Sequence, residues 1–150
     1  MAFTKRDAPN CDLCPFQKNC FYDLLGDKES KQYWREMRIA NRFRPGESVF
    51  YEGEKPHAAY VVCTGAVKIY KTSRLGQQLV TRIERPGDLL GHRSFLSGEN
   101  YSGTAEAMAE SVVSMVDEGT LVRFLARFPK AALALLKELA KDVRRGEDKA

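Results

Sequence analysis

Hydrophobic and polar positions along the chain change period twice. From Asp27 to Ala40 the pattern is helical: Asp27 is a candidate N-cap, and Tyr33, Trp34, Met37 and Ile39 form an uneven apolar stripe whose charged neighbours are expected to face water. From Phe43 to about Val116, short segments rich in Val, Ile, Tyr and Phe are separated by Pro45-Gly46, Gly53, Gly65, Gly76, Pro86-Gly87, Gly91 and Gly98. This predicts strands joined by tight turns. Val67-Lys68-Ile69-Tyr70-Lys71 alternates as a half-buried strand does, and Gln77 to Ile83 reads as its continuation after the Arg74-Leu75-Gly76 turn. Turn signals roughly every 8 to 12 residues favour a double-sheet antiparallel jelly roll over an open sheet with crossover helices.

Past Asp117 the helical period returns. Leu121, Phe124, Leu125 and Phe128 predict one short helix, and Pro129 opens a second, a position that suits a residue with no free N–H. In the second helix Ala132, Leu136, Leu139 and Val143 follow one another at spacings of four, three and four, the seam of a coiled coil. That stripe packs either on the chain's own core or on a second copy. The last residues, Arg144 to Ala150, are charged and have no apolar anchor.

With 150 residues, 43% apolar and 29% charged, the chain has the balance of one globular domain with its own core. It carries neither a secretory leader pattern nor an apolar run of the roughly 20 residues needed to span a bilayer, so a cytoplasmic setting without membrane contact is expected. A reducing compartment makes the four cysteines better candidates for ligands, redox thiols or core residues than for a disulfide framework. Net charge is +4, but Lys and Arg are interleaved with 20 acidic residues. Arg35, Arg38, Arg42 and Arg44 read as a solvated face around a helix end, not as a DNA-reading surface. An enzyme is not expected: no nucleophile with a paired base, no phosphate-cradling glycine loop and no complete metal-hydrolase motif is present, and two histidines are too few for a catalytic cupin site.

The chemistry concentrates in Cys11, Cys14 and Cys20, three thiols within ten residues. A metal cluster, a zinc ion or a Cys11–Cys20 disulfide are all open on chemistry alone. Zinc needs a fourth ligand, for which His57 and His92 are candidates. Cys63 lies downstream in an apolar stretch, where a small buried hydrophobe is the plainer reading.

The glycine-punctuated block Phe43 to Glu54, followed by Tyr60 to Tyr70 and by Pro86-Gly87-Asp88-Leu89-Leu90-Gly91, resembles the sensory domain of the Crp/Fnr superfamily of bacterial transcription regulators. The resemblance runs from about Asp27 to Arg145. It implies a mainly β fold with flanking helices: a cysteine-containing segment over 1–26, a jelly roll of the cyclic-nucleotide-binding type over 27–128, and the start of a dimerisation helix over 129–150. It also implies a homodimer in the full-length protein, and DNA contact only through a winged helix-turn-helix domain that this chain does not contain. Nucleotide-binding members hold the ribose with a glycine-glutamate pair and the cyclic phosphate with an arginine-serine pair. The matching positions are Gly91-His92 and Tyr101-Ser102, with Arg93 nearby, so a ligand pocket is expected but cyclic AMP is not, because the phosphate has lost its charge-assisted partner.

Two residues between Cys11 and Cys14, and five between Cys14 and Cys20, resemble the spacing of the Fnr oxygen sensors. This implies a [4Fe-4S] cluster on thiolates, with zinc or no metal as the alternatives. Those sensors take a fourth cysteine from a late strand, where this chain has Ser114. Cys63 substitutes for it if its strand passes close by; Asp12 and Asp117 are the other candidates. The expected function is redox or oxygen sensing at the cysteines, or effector sensing in the pocket, transmitted through the dimer helix. The alternative is a stand-alone interaction module without metal.

Overall fold

A computed structural model describes residues 9–148; residues 1–8 of the cysteine segment and 149–150 of the tail lie outside the described residues. Two 3-10 turns, Cys11–Leu13 and Gln17–Asn19, lead into α1 (Phe21–Leu24) and α2 (Lys28–Met37). Eight strands follow: β1 (Ile39–Phe43), β2 (Ser48–Phe50), β3 (Ala58–Thr64), β4 (Val67–Thr72), β5 (Gln78–Glu84), β6 (Leu89–Leu90), β7 (Thr104–Ala107) and β8 (Ser111–Asp117). Helix α3 (His92–Ser97) lies between β6 and β7, and α4 (Glu118–Arg127) and α5 (Pro129–Asp148) end the chain. The strands form two antiparallel four-stranded sheets, β1-β8-β3-β6 and β2-β7-β4-β5. This is the expected jelly roll, with helices on its outer side.

Strand β3 sits inside the first sheet and is covered on both faces, which is why Ala58 to Val62 is an unbroken apolar run. Its even residues Ala58, Tyr60 and Val62 join the cluster between the sheets, with Phe43, Phe50, Leu90, Tyr101 and Val113. Its odd residues Ala59 and Val61 turn outward, to a second cluster with Phe21, Tyr22, Trp34, Val116, Phe124 and Leu135. The rings of that outer layer interlock edge to face, Phe21 on Trp34 at 5.2 Å between centroids. No described helix is long and apolar enough to cross a membrane.

Helix α2 is capped by Asp27 as its sequence predicts, Asp27 Oδ1 accepting from Ser30 N at 2.7 Å. It stops three residues short of the expected end. Arg38 is already extended (φ −77°, ψ 145°), and Ile39 and Ala40 open β1 instead of extending the apolar stripe. The reading of the local arginines as a solvated face therefore fails at Arg38, which is only 3% exposed. The same charge run holds exposed Arg42 and Arg44, as expected.

Helix α5 buries Ala131, Ala134 and Leu135, while Leu136 and Val143 are 60% and 63% exposed. Leu136 and Val143 of the predicted seam thus face away from the chain's own core, while Ala132 and Leu139 are half-buried. Further along, α5 is fastened by charge: Asp142 accepts from Arg82 Nη2 (2.9 Å) and from His92 Nε2 (2.7 Å). Arg82 also pairs with Glu84 at 2.9 Å, and Arg145 lies 3.9 Å from Glu84.

This network has opposite titration signs at its two acids. Asp142 is desolvated, yet the hydrogen bonds from His92 and Arg82 outweigh that and hold its carboxyl at about 2. Burial pushes Glu84 up to about 7 against the attraction of Arg82 and Arg145, with Asp88 and Asp142 adding repulsion. The Asp142 contribution is present above its ordinary value of 3.8 and is lost only as pH falls through about 2. Between 4.5 and about 7 native Glu84 keeps a proton that the unfolded chain has released, so stability falls as pH rises across that window. The chain should unfold more readily at pH 8 than at pH 5, by on the order of 2 kcal/mol, and Glu84→Gln should flatten the difference. Thermal melts of both proteins at the two pH values check this; an equal pH effect in the variant would remove Glu84 as its source.

Candidate metal centre and effector pocket

The outward parity of β3 continues past Val61 to Cys63. Across the strand pair Val61 faces Ser114, so Cys63 and Ser114 lie together on the outer side of the sheet. The amino-terminal turns dock against that spot. Cys11, Cys14, Cys20 and Cys63 line one small cavity of about 30 Å³, with Pro9, Phe16, Gln17, Tyr22, Arg38 and Gly87 as the remaining walls. All four thiols are free. The Cys11–Cys20 disulfide is therefore not formed, and Cys63 is more than an isolated core hydrophobe.

Local chemistry holds the segment in place. Asn10 caps the first turn by accepting from Asp12 N at 3.0 Å. Asp12 takes a hydrogen bond from Tyr22 Oη (2.6 Å) and pairs with Arg35 (3.1 Å), which ties the turn to α2. Gly87 lets the β5–β6 turn approach the segment: at φ +96°, a Cβ there would lie 2.4 Å from Asn19 O. Its role thus extends beyond the turn that its sequence predicts.

Arg38 reaches in from the end of α2. Its Nη1 donates to Ser114 Oγ at 2.9 Å, and its Nη2 donates to the Pro9 carbonyl. Ser114 Oγ lies 3.1 Å from Cys63 Sγ; because the hydroxyl already accepts from Arg38, its own proton is free to point at the sulfur. Cys63 Sγ in turn contacts Val61 O at 3.9 Å. Burial pushes the thiols of Cys11, Cys20 and Cys63 up, Cys20 to about 12, while Arg38 pulls those of Cys11 and Cys63 back down. Each of these sulfurs is a neutral thiol at neutral pH and must lose its proton to become a ligand.

The donor type is the one a thiolate-held cluster uses. Four soft sulfurs share the cavity, and among the described residues no carboxylate or imidazole lines it. Asp12 is engaged by Tyr22 and Arg35, and Asp117 caps α4 through Thr120, so neither acid completes the site. His57 is exposed beside Lys55 O, and His92 is held by Asp142, so neither histidine offers zinc a fourth ligand. Among the described residues no three Cys, His, Asp or Glu side chains stand in the geometry of a single bound ion.

The second candidate site is a cavity of about 220 Å³ between β5, β6, α3 and the start of β7. Gly91, His92, Arg93, Tyr101 and Ser102 all line it, together with Arg82 and Glu84. Two of them are already spoken for. Tyr101 stacks on Phe50 (3.9 Å between centroids) and donates to Ala58 O, filling the space instead of presenting a charge. His92 is 3% exposed and points at Asp142. Sequence reasoning did not reach Arg82 and Glu84, neighbours on β5, or Asp142, which meets Arg82 only across 60 residues of chain.

Residues 40–128 match the cyclic nucleotide-binding domain family. The anaerobic regulatory protein of Pasteurella multocida is 21% identical over 141 residues, covering 94% of this chain and 51% of that protein. The fumarate and nitrate reduction regulatory protein of Vibrio cholerae is 20% identical over 137 residues, covering 91% of this chain and 54% of that one. The chain spans about half the length of these relatives. Among solved structures, the sensor domain of the transcriptional regulator DNR from Pseudomonas aeruginosa superposes with a TM-score of 0.72 at 23% identity, covering 89% of each chain. The match over the jelly roll, the shared sheet architecture and the helix that follows it all agree: the chain belongs to the cyclic nucleotide-binding domain family, as a sensor domain of the Crp/Fnr type.

Proposed function

We propose that this domain senses redox state or oxygen for a cytoplasmic Crp/Fnr-type transcription regulator, through an iron-sulfur cluster held by Cys11, Cys14, Cys20 and Cys63. The observation that carries this reading is the presence of Cys63 in the same cavity as the amino-terminal trio, beside Ser114. Cys63 stands on the strand beside Ser114 and on the same face, within reach of the fourth ligand's place. Similarity to an anaerobic regulatory protein and to a fumarate and nitrate reduction regulatory protein supports the assignment.

When bound, such a cluster supplies a centre whose charge and integrity change on oxidation. The chain's own residues do the rest. At about 30 Å³ the cavity has room for little more than water, so the Pro9–Cys20 segment has to shift outward on loading. Cys20 leads directly into α1, whose Phe21 and Tyr22 pack with Ala131, Ala134 and Leu135 of α5. A displaced segment therefore pulls on the root of α5 and biases how its exposed face meets a second copy. In this reading DNA is bound by a carboxy-terminal domain outside this chain, and the domain itself is not an enzyme.

Purified without air and supplied with iron and sulfide, the protein should show broad absorption near 400 nm that fades on exposure to air. Cys63→Ser should abolish it as fully as Cys11→Ser, Cys14→Ser or Cys20→Ser, and Cys63→Ser with Ser114→Cys should restore it. A colourless, metal-free wild type would overturn the cluster and move the sensing role to a small effector in the 220 Å³ cavity.

The Ala132, Leu136, Leu139 and Val143 face of α5 is the proposed dimer seam. Leu136→Glu should weaken dimerisation at least about tenfold, because burying an unpartnered carboxylate costs more than about 1.4 kcal/mol. Since Leu136 is exposed in the single chain, the melting temperature at low concentration should hardly move. Sedimentation of this chain, and of a version extended past Ala150, reads the effect; monomers in both wild types would defeat the seam.

A further inference from the structure

Among the described residues Arg38 is a buried cation without a counter-ion. Its side chain is nearly inaccessible, and among the described residues no carboxylate lies within ion-pair distance of it. Its two partners among the described residues, the Pro9 carbonyl and the Ser114 hydroxyl, are neutral, and no described residue accepts a hydrogen bond from its Nε. Arg35, Arg42, Arg82, Arg127 and Arg145 pair with acids, whereas Arg44, Arg74 and Arg85, which have no acid partner among the described residues, are exposed. A guanidinium cannot shed its proton, and a buried unpaired charge is among the most expensive groups a fold can hold. What surrounds this one is the four-thiol cavity, whose wall it forms.

We infer that Arg38 is the counter-ion of the loaded thiol site: a positioning residue that offsets the negative charge of the thiolate-bound centre and fastens it, through Ser114, to Cys63. The inference rests on the cluster reading. Four thiols that release their protons to metal leave a net anion at a place where the fold has already buried one positive charge. The guanidinium has the hydrogen bonds to use it, with one fork arm on Ser114 beside the Cys63 sulfur, the other on the backbone that carries the amino-terminal thiols, and Nε uncommitted. Partners of this kind typically change metal retention by about 10- to 100-fold.

The test compares wild type, Arg38→Gln and Arg38→Lys in the full chain, loaded anaerobically with iron and sulfide. Three quantities are read: iron release to a chelator, the midpoint potential of the bound centre, and the melting temperature of the unloaded protein. Arg38→Gln should release iron about 10- to 100-fold faster and shift the potential to more negative values, while Arg38→Lys keeps most of both. The unloaded Arg38→Gln protein should melt no lower than wild type, since it has lost an unpaired buried charge. A merely structural arginine gives a different pattern: both variants melt lower unloaded, and the potential follows neither charge. That pattern, or equal iron release from wild type and Arg38→Gln, would overturn the inference. A wild type that binds neither iron nor sulfide removes the cluster reading itself, and the role of Arg38 with it.

Discussion

Double-sided burial of β3 is the constraint on which the rest of the structure depends. A strand in a two-layer sandwich ordinarily buries one face and wets the other; here Ala59 and Val61 are as inaccessible as Ala58, Tyr60 and Val62. The inner face needs the second sheet, and the outer face needs a helical cover, which Phe21, Trp34 and Phe124 supply. Once both covers are in place the register with β8 cannot slip, because a shift of one residue would exchange the two sets. The register holds at Val61–Ser114 and Val62–Val113 and shifts at Cys63, whose sulfur lies beside Ser114 on the outer face. It also sets Tyr60 next to Phe50 and Tyr101 at the inner cavity.

Much of this was legible in the sequence, for reasons that can be named. Asp27, Pro129 and the glycine turns act locally, so their roles follow from residue type alone. The cysteine trio is local too. Cys63 was harder: it reads as one more apolar position unless β3 is known to have two buried faces, and the register shift at Cys63 that accompanies its approach to Ser114 has no signal in the sequence. Arg38 was misread because a helix pattern was carried past Met37 to Ala40, three residues too far. An arginine on a helix surface points to water, but at the extended residue where α2 gives way to β1 it points under the preceding turns. The Arg82–Asp142–His92 group had no signal at all in the sequence, since charges this far apart are brought together only by the return of α5 across the sheet.

The resemblance to nucleotide-binding members implies that Tyr101 and His92 of the 220 Å³ cavity stand at the phosphate- and ribose-holding positions. Where nucleotide-binding members would place a phosphate-holding arginine, this chain has an aromatic ring stacked at 3.9 Å on Phe50. Where they would place a ribose-holding carboxylate, it has a histidine occupied by Asp142. The two changes work together. A tyrosine removes the demand for an anionic ligand, and the helix carries its own carboxylate to the cations that remain. The α5 helix is thereby docked on the sheet from within the chain.

Helix α5 is thus gripped at two levels of different character. Its first turns lie against Phe21, Tyr22 and Leu25, apolar contacts that continue the segment bearing the thiols. About two turns further on, Asp142 is gripped by charge from the inner cavity. Apolar packing tolerates sliding and rotation at modest cost, whereas an aspartate shared between Arg82 and His92 at under 3 Å has one good position. In the proposed reading, a movement of the cysteine segment would reach α5 at its apolar root while Asp142 holds the far end. Leu136, which lies between the two grips, is then the exposed residue whose aim would change without either sheet unfolding.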